Sequence, residues 1–353
     1  MNKKLKILYL YSELVGYQIP ILKSFVTDYN ANVKVVSWDK KKLKPYQPPA
    51  VDGIEFLNRS DYNTKDLFEF TLSFSPDIIY VSGWMDKGYL YVTKRFKKKK
   101  IPIVTAFDDI WTGSLRQRIG SLIFPFYFKK FFSHAWVAGP FQFEFARRLG
   151  FKRNEIIFDM LCADTTIFNS NSYGTLRPSE NAFLYVGNFR KIKGVDILIE
   201  AFLIYKKNYN GKWSLICVGN GELHDELNKV DEVCVYPFSS YEELVHIAKK
   251  ARVLVLPSRH DQWGVVVHEF AALGMPLLLS ENVGAKATFF INGFNGLLFK
   301  HCSAAELAKK MYEFSNMTRE DISIMQQNSL LLSTRINIKT STANFLSLIK
   351  NRN

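Results

Sequence analysis

The sequence predicts an α/β protein built from two doubly wound parallel sheets, one in each half of the chain. Short apolar runs of four to six residues alternate with helix-length segments throughout both halves. A single stretch rich in turn residues, 169–178, lies between the halves and reads as the linker. At 353 residues with 47% apolar side chains, the chain has room for two ordinary domains and a sizeable core. No repeat or low-complexity segment interrupts the pattern.

Taken in order, the runs 7–11, 33–37, 77–81, 101–105 and 135–138 are expected strands, with helices such as 141–149 between some of them. They are apolar at successive positions, as strands buried on both faces are. The second half repeats the pattern at 182–186, 213–218, 233–236, 253–256 and 277–280. Helices are expected from Val195 to about Tyr205, over 241–250, and over 265–273 with Gly274 as the stop. Beyond about Asn328 the chain should again be helical.

The segment 257–296 carries the most chemistry. After the strand at 253–256 comes a polar loop holding Asp261, then a helix opened by Gly264 with Glu269 just over one turn in, then Gly274-Met-Pro276 and another strand. Ligands of open α/β sheets sit outside the carboxyl ends of strands, and a helix N-terminus offers unpaired N–H groups to an anion. Two carboxylates can therefore face one ligand whose anionic part touches the backbone of Trp263, Gly264 and Val265. Such a ligand has hydroxyls at two places and phosphate between.

This segment resembles the retaining group 1 (family 4) nucleotide-sugar glycosyltransferases. Their signature is a pair of acidic residues separated by seven, then small apolar residues, Gly-x-Pro and a strand, as at Asp261, Glu269 and Gly274 to Pro276. The family usually has Glu first, so Asp261 shortens that side chain by one methylene and shifts the position of any sugar hydroxyl it holds. The resemblance implies the GT-B fold, two facing Rossmann-like domains with a cleft between them. It implies an acceptor-binding domain over 1–170, a donor-binding domain over 171–335, and a last helix at about 336–353 returning to the first domain. The donor is a nucleoside-diphosphate-sugar, used as substrate; no cofactor is expected.

Further loops of the second half match the same family. Gly187-Asn188-Phe-Arg190-Lys191-Ile-Lys193-Gly194 gathers cations at a strand end beside a helix start, where a diphosphate would sit. The family places an Arg where this chain has Asn188, and Arg190 can replace it; a solvated basic turn is the competing reading. Gly219-Asn-Gly221 resembles the family's Gly-x-Gly turn near the nucleotide, and Tyr236 lies in the stretch that flanks the base. Each also reads as an ordinary tight turn or core packing. The resemblance implies that Glu269 holds ribose hydroxyls, Asp261 those of the sugar, and Lys193 with Arg190 the diphosphate. The turns 283–285 and 292–296 match downstream family turns.

The first half is less informative. Gly16 resembles the turn that approaches donor phosphates, although a second adjacent glycine is missing. Asp108 and Asp109 follow the run at 101–105, where relatives place a His or Asp near the donor sugar and acceptor hydroxyl. A helix N-cap pair is the alternative for these aspartates. They form no Asp-x-Asp motif, none of the six histidines has ligand spacing with another, and no metal is expected. His134 and His268 read as packed or surface groups.

Charge is unevenly distributed. Residues 1–153 hold 26 Lys and Arg against 13 Asp and Glu, and the remainder 21 against 20. The excess of +13 in one half predicts an anionic partner. With an acceptor carried on a membrane lipid, as the resemblance allows, this is an anionic cytoplasmic leaflet. Lys94, Arg95 and residues 97–100 form the densest cluster, with Lys40, Lys41, Lys42 and Lys44 a second. The stretch 123–132 interleaves aromatics with lysines and is suited to an interface, though core aromatics would look the same. The four cysteines are scattered without a Cys-x-x-Cys pair, and the amino-terminal apolar run is too short for a signal core or a membrane span. A cytoplasmic protein, peripheral on the inner face of the membrane, is expected.

The expected activity is therefore transfer of a sugar to a hydroxyl of a glycan or lipid-linked acceptor, in assembly of a surface polysaccharide or lipopolysaccharide. A nucleotide-sugar epimerase of similar two-domain fold is one rival, and a basic nucleic-acid binder another. Nucleic acid is not the expected partner, because it leaves the 257–296 segment without a use. A dehydrogenase is disfavoured because no Gly-x-Gly-x-x-Gly follows the first strand.

Overall fold

The computed structural model describes residues 4–40, 48–169, 181–300 and 302–349. The chain divides into two compact units, Met1–Cys162 with Ile336–Asn353, and Ala163–Arg335. The expected linker, Asn169 apart, lies outside the described residues, as do Lys41, Lys42 and Lys44 of the second lysine cluster. Among the described residues no helix is long and apolar enough to cross a membrane.

The first unit holds β1 (Lys6–Tyr11), β2 (Asn32–Ser37), β3 (Ile54–Asn58), β4 (Ile78–Val81), β5 (Ile103–Phe107), β6 (His134–Val137) and β7 (Ile156–Ile157). They form one parallel sheet in the order β3-β2-β1-β4-β5-β6-β7. Its helices are α1 (Ile19–Thr27), α2 (Thr64–Phe74), α3 (Lys87–Lys98), α4 (Leu115–Tyr127) and α5 (Pro140–Arg148). Asn63 and Asp86 cap α2 and α3 by accepting two backbone N–H groups each. The final described helix, Ile338–Leu346, closes this unit: Phe345 is fully buried with its ring 4.9 Å from Trp136 and 5.3 Å from Phe25.

The second unit holds β8 (Ala182–Val186), β9 (Ser214–Val218), β10 (Val233–Tyr236), β11 (Val253–Leu256), β12 (Leu277–Ser280) and β13 (Gly296–Phe299), parallel in the order β10-β9-β8-β11-β12-β13. Its helices are α6 (Val195–Tyr209), α7 (His224–Asn228), α8 (Tyr241–Ala248), α9 (Val265–Ala272), α10 (Lys286–Phe289), α11 (Ala304–Ser315) and α12 (Arg319–Ser333). In each sheet the strand order runs outward and then reverses, between β1 and β4 in the first unit and between β8 and β11 in the second. Those two points leave a crevice at the carboxyl ends of the strands.

Strands β8, β10, β11 and β12 occupy the residues anticipated for them. Strand β5 begins at Ile103 rather than at the anticipated Ile101. Pro102 has no N–H for the ladder, although its carbonyl accepts from the Ile79 N–H at 3.0 Å. Three strands, β3, β7 and β13, were not anticipated, and all three are sheet edges.

Candidate active site

The loop after β8 and the loop after β11 meet at the switch point of the second sheet. Lys191 to Lys193 form a single tight turn, and Gly194 follows with φ of 72° as the N-cap of α6. A side chain there would bring its Cβ to 2.0 Å from the Pro257 carbonyl oxygen, so only glycine lets the two loops touch. The consequence is that Lys193 Nζ reaches Asp261 Oδ2 at 2.9 Å, with the two side chains 29% and 14% exposed. Ser258 Oγ lies 3.4 Å from the same carboxylate oxygen.

The Asp261 loop is fixed from its far side by the chain that leaves β12. The Asp261 N–H donates to Asn282, the Gly284 N–H donates to the Asp261 carbonyl at 3.0 Å, and the Ala285 N–H donates to Trp263 at 2.7 Å. The 283–285 turn, noted in the sequence only as a glycine-bearing match, is thus the shelf on which Asp261 rests. Arg259 supplies a second brace. Its guanidinium forks onto both carboxylate oxygens of Asp196 in the first turn of α6 and bonds the Lys191 carbonyl, tying the two loops together. The Asp196 carboxyl is held below its ordinary range, hydrogen bonding to Arg259 and the guanidinium's charge outweighing partial burial. Sequence reasoning missed this pair because its members lie 63 residues apart.

Glu269 sits on α9, the helix that Gly264 opens, and is 8% exposed. Burial, with the nearby Asp164 carboxylate second, pushes its pKa up from 4.5 to about 7. Among the described residues no hydrogen bond or ion pair reaches its side chain. Trp263 is 2% exposed and packs its ring edge-on to Phe289 at 6.0 Å, so its backbone, not its indole, can meet a ligand. The first N–H groups of α9, at Val265 and Val266, lack helical partners, as at any helix start. His268 is part of the core: Nδ1 accepts from the Ala163 N–H at 2.9 Å and Nε2 donates to the Ser333 carbonyl at 3.0 Å. Burial lowers its pKa to about 4, so it is neutral.

Arg190 and Asn188 are both exposed on the loop after β8. Gly219 and Gly221 back that loop. A Cβ on Gly219, at φ of 148°, would lie 1.9 Å from the Gly187 carbonyl oxygen, and one on Gly221 would crowd the backbone of Phe189. The Gly-x-Gly turn therefore seats the basic loop, whatever else it meets. Tyr236 is half-buried; its carbonyl accepts from the Gly219 N–H at 3.0 Å and its hydroxyl from Lys250 Nζ at 3.1 Å.

In the first unit, a cavity of about 320 Å³ opens at the β1/β4 switch point. Tyr11, Tyr17, Tyr80 and Trp84 line it together with Asp108, Asp109 and Arg116. Asp108 and Asp109 are not a helix cap: the N-cap of α4 is Ser114, whose hydroxyl accepts from the Gln117 N–H. The Tyr17 hydroxyl is pushed to about 12, by burial first and by Asp108 second. Gly16 begins the short turn leading into this wall but is not part of it.

A cation and a carboxylate that satisfy each other, a helix start, and a buried carboxyl with no hydrogen-bond partner among the described residues together suit a ligand bearing phosphate and hydroxyls. Residues 171–329 match the family model described as glycosyl transferases group 1. An uncharacterised glycosyltransferase of Methanocaldococcus jannaschii is 32% identical over 142 residues, which is 38% of this chain and 38% of that protein. The chain thus spans well under half the length of that relative. Among solved structures, a glycosyltransferase from Rickettsia africae superposes with a TM-score of 0.76 at 13% identity, covering 99% of each chain. HepE of Anabaena, solved with UDP and glucose, superposes with a TM-score of 0.72 at 16% identity, covering 98% of this chain and 100% of that one. With its two Rossmann-like sheets the protein has the GT-B fold, and its second unit is similar to the group 1 glycosyltransferases, whose family model matches residues 171–329, under half of the chain.

Proposed function

We propose that the protein transfers a sugar from a nucleoside-diphosphate-sugar to a hydroxyl, with the anomeric configuration retained. The observation that carries this is the meeting of Lys193 and Asp261 at 2.9 Å where the β8 and β11 loops converge. On donor binding, Lys193 turns to the diphosphate with Arg190, and Asp261 accepts from a sugar hydroxyl. Glu269 accepts from the ribose hydroxyls, and the Gly264–Val265 backbone N–H groups face a phosphate oxygen. Donors preorganised on charge that grows as the diphosphate leaves contribute about 3–4 kcal/mol each. The bond from the anomeric carbon to the phosphate oxygen breaks, and the acceptor oxygen bonds that carbon on the same face. Its proton passes to the departing phosphate oxygen, so no enzyme nucleophile, metal or cofactor is called on.

The first unit is proposed to bind the acceptor in the cavity lined by Asp108, Asp109 and Trp84, where a carboxylate orients the hydroxyl. The basic charge of residues 1–153 favours an acceptor displayed on an anionic membrane, as in assembly of a surface polysaccharide or lipopolysaccharide on the cytoplasmic face. UDP and glucose in the Anabaena neighbour make UDP-glucose the first donor to try. A panel of nucleotide-sugars screened by thermal shift should single out one donor, since binding at 100 times its dissociation constant stabilises by about 2.7 kcal/mol. An isomerised sugar formed from donor alone would instead indicate an epimerase. No shift with any donor would overturn the reading.

A further inference from the structure

Helix α4 carries its apolar side outward. Phe124 is its buried residue, with the Trp84, Phe151 and Phe132 rings 5.3, 6.0 and 6.2 Å away. At about 100° per residue, Leu115, Ile119, Leu122 and Phe126 fall within roughly 40° of the direction opposite Phe124. They are 74%, 48%, 72% and 78% exposed. A helix on a water-facing surface places polar residues there. Four large apolar side chains in a line mark a face that is covered by something apolar.

The flanks identify the cover. Arg116 and Arg118 border the line and Lys130 follows it, all exposed, and no Asp or Glu occurs from Ile110 to Ser133. An apolar line edged by cations is the arrangement of a helix lying in the headgroup boundary of an anionic bilayer. A second copy fits poorly, because pairing α4 on α4 about a two-fold axis sets arginines against arginines with no carboxylate on the helix to offset them. The lysine-rich end of α3 exposes Lys94, Lys98, Lys99 and Lys100 but, among the described residues, no large apolar side chain, so it offers charge without an apolar line. Lys97 donates to the Lys129 and Phe132 carbonyls, and burial, with Lys129 second, lowers its pKa.

The geometry points to α4 as the membrane-docking element, its outward line seated among acyl chains and its arginines on lipid phosphates. This deepens the membrane-displayed acceptor proposed above and rests on it only for what the docking serves. Arg116 belongs both to α4 and to the wall of the cavity at the β1/β4 switch, and Trp84 joins that wall to Phe124. A seated helix therefore brings the cavity wall to headgroup level, where the acceptor hydroxyl of a lipid-borne glycan is presented.

The test is sedimentation of the full chain with phosphatidylcholine vesicles and with vesicles containing phosphatidylglycerol. The wild type should pellet with the anionic vesicles only and be released by salt. Leu122→Ser with Phe126→Ser should weaken partition about a hundredfold, and Arg116→Glu with Lys130→Glu should remove the preference for anionic lipid. Lys98→Glu with Lys99→Glu at the end of α3 should retain binding within a few-fold. Unfolding midpoints equal to wild type show that the variants fold. Undiminished binding by the serine pair overturns the proposal, as does failure of the wild type to bind, or a wild-type dimer that the serine pair dissolves. No arm uses a nucleotide-sugar, so loss of the donor assignment would leave this result standing, and the reverse.

Discussion

Replacing Glu269 by Gln should make the unliganded protein more stable above neutral pH while loosening its hold on the donor. The carboxyl is 8% exposed, and burial, then Asp164, raises its pKa to about 7. In the unfolded chain a glutamate titrates near about 4.3. Between those values the folded protein carries a proton the unfolded chain lacks. Stability from this group is therefore complete below the unfolded pKa and is lost as pH rises through about 7. That rise in pKa, at about 1.36 kcal/mol per pH unit, gives a loss of roughly 3–4 kcal/mol by pH values well above 7. That is an upper figure, because a buried carboxylate recruits water and relaxes its surroundings. Gln keeps the shape and never ionises.

Glu269→Gln should thus match wild type below about pH 4, gain on it through the window up to about 7 and exceed it fully in alkali, with a midpoint some 6–12 °C higher there if the second unit melts as one body of its size. Thermal and urea unfolding across the pH range measure this directly. The donor titration should move the other way, since loss of a hydrogen bond to a charged acceptor weakens binding by about 1.5–3 kcal/mol. Wild-type donor affinity should also rise with pH toward 8, because ribose hydroxyls donate best to the ionised carboxylate. A variant whose stability follows wild type at every pH, or falls below it in alkali, would refute the desolvated carboxyl.

Three other outcomes follow from the same loops. Lys193→Ala should lower donor affinity far more than stability, because the partly exposed pair with Asp261 contributes only about 1 kcal/mol to folding; calorimetry beside urea unfolding separates the two, and equal losses would argue against a phosphate role. Arg259→Ala should raise the donor KM by releasing the clamp on Asp196 and Lys191, and destabilise by about 1–3 kcal/mol; an unchanged KM would make the clamp purely structural. Gly219→Ala should cost about 1–3 kcal/mol, since its Cβ meets the Gly187 carbonyl at 1.9 Å; a neutral result in denaturation would mean that the turn shifts freely.

What the sequence makes legible follows mainly from burial, although the edge strand β10 was found too, because Val-Cys-Val-Tyr is apolar despite its exposure. Strands β8, β11 and β12 are covered on both faces, so their residues read as unbroken apolar runs, and their bounds were found. The strands that escaped notice are edges. β3 reads Ile-Glu-Phe-Leu-Asn, with Glu55 and Asn58 exposed; β13 begins on a glycine; β7 is two residues long. An edge strand has one open flank and is kept short or polar, which removes the signal that marks a central strand. The site divides in the same way. Asp261, Glu269 and Lys193 stand at fixed spacings from turns and a helix start, which local chemistry writes into the sequence. The Arg259–Asp196 clamp and the seating of Gly219 on Gly187 join distant segments and need the fold.

The same division explains why α4 was only half visible. Interleaved aromatics and lysines at 123–132 fit either a core or an interface, because composition does not say which side of a helix the core takes. Once Phe124 is fixed inward by Trp84, Phe132 and Phe151, the helical period sends Leu115, Leu122 and Phe126 to the opposite side. Glu269 is the polar counterpart. Its spacing placed it on α9, but its protonation is decided by how little water reaches it. A carboxyl desolvated enough to stay protonated near neutrality has given up its hydration before the ligand arrives. Hydroxyls that bind it then replace no water and restore the charge, which is why donor affinity and apo stability should respond to pH with opposite sign.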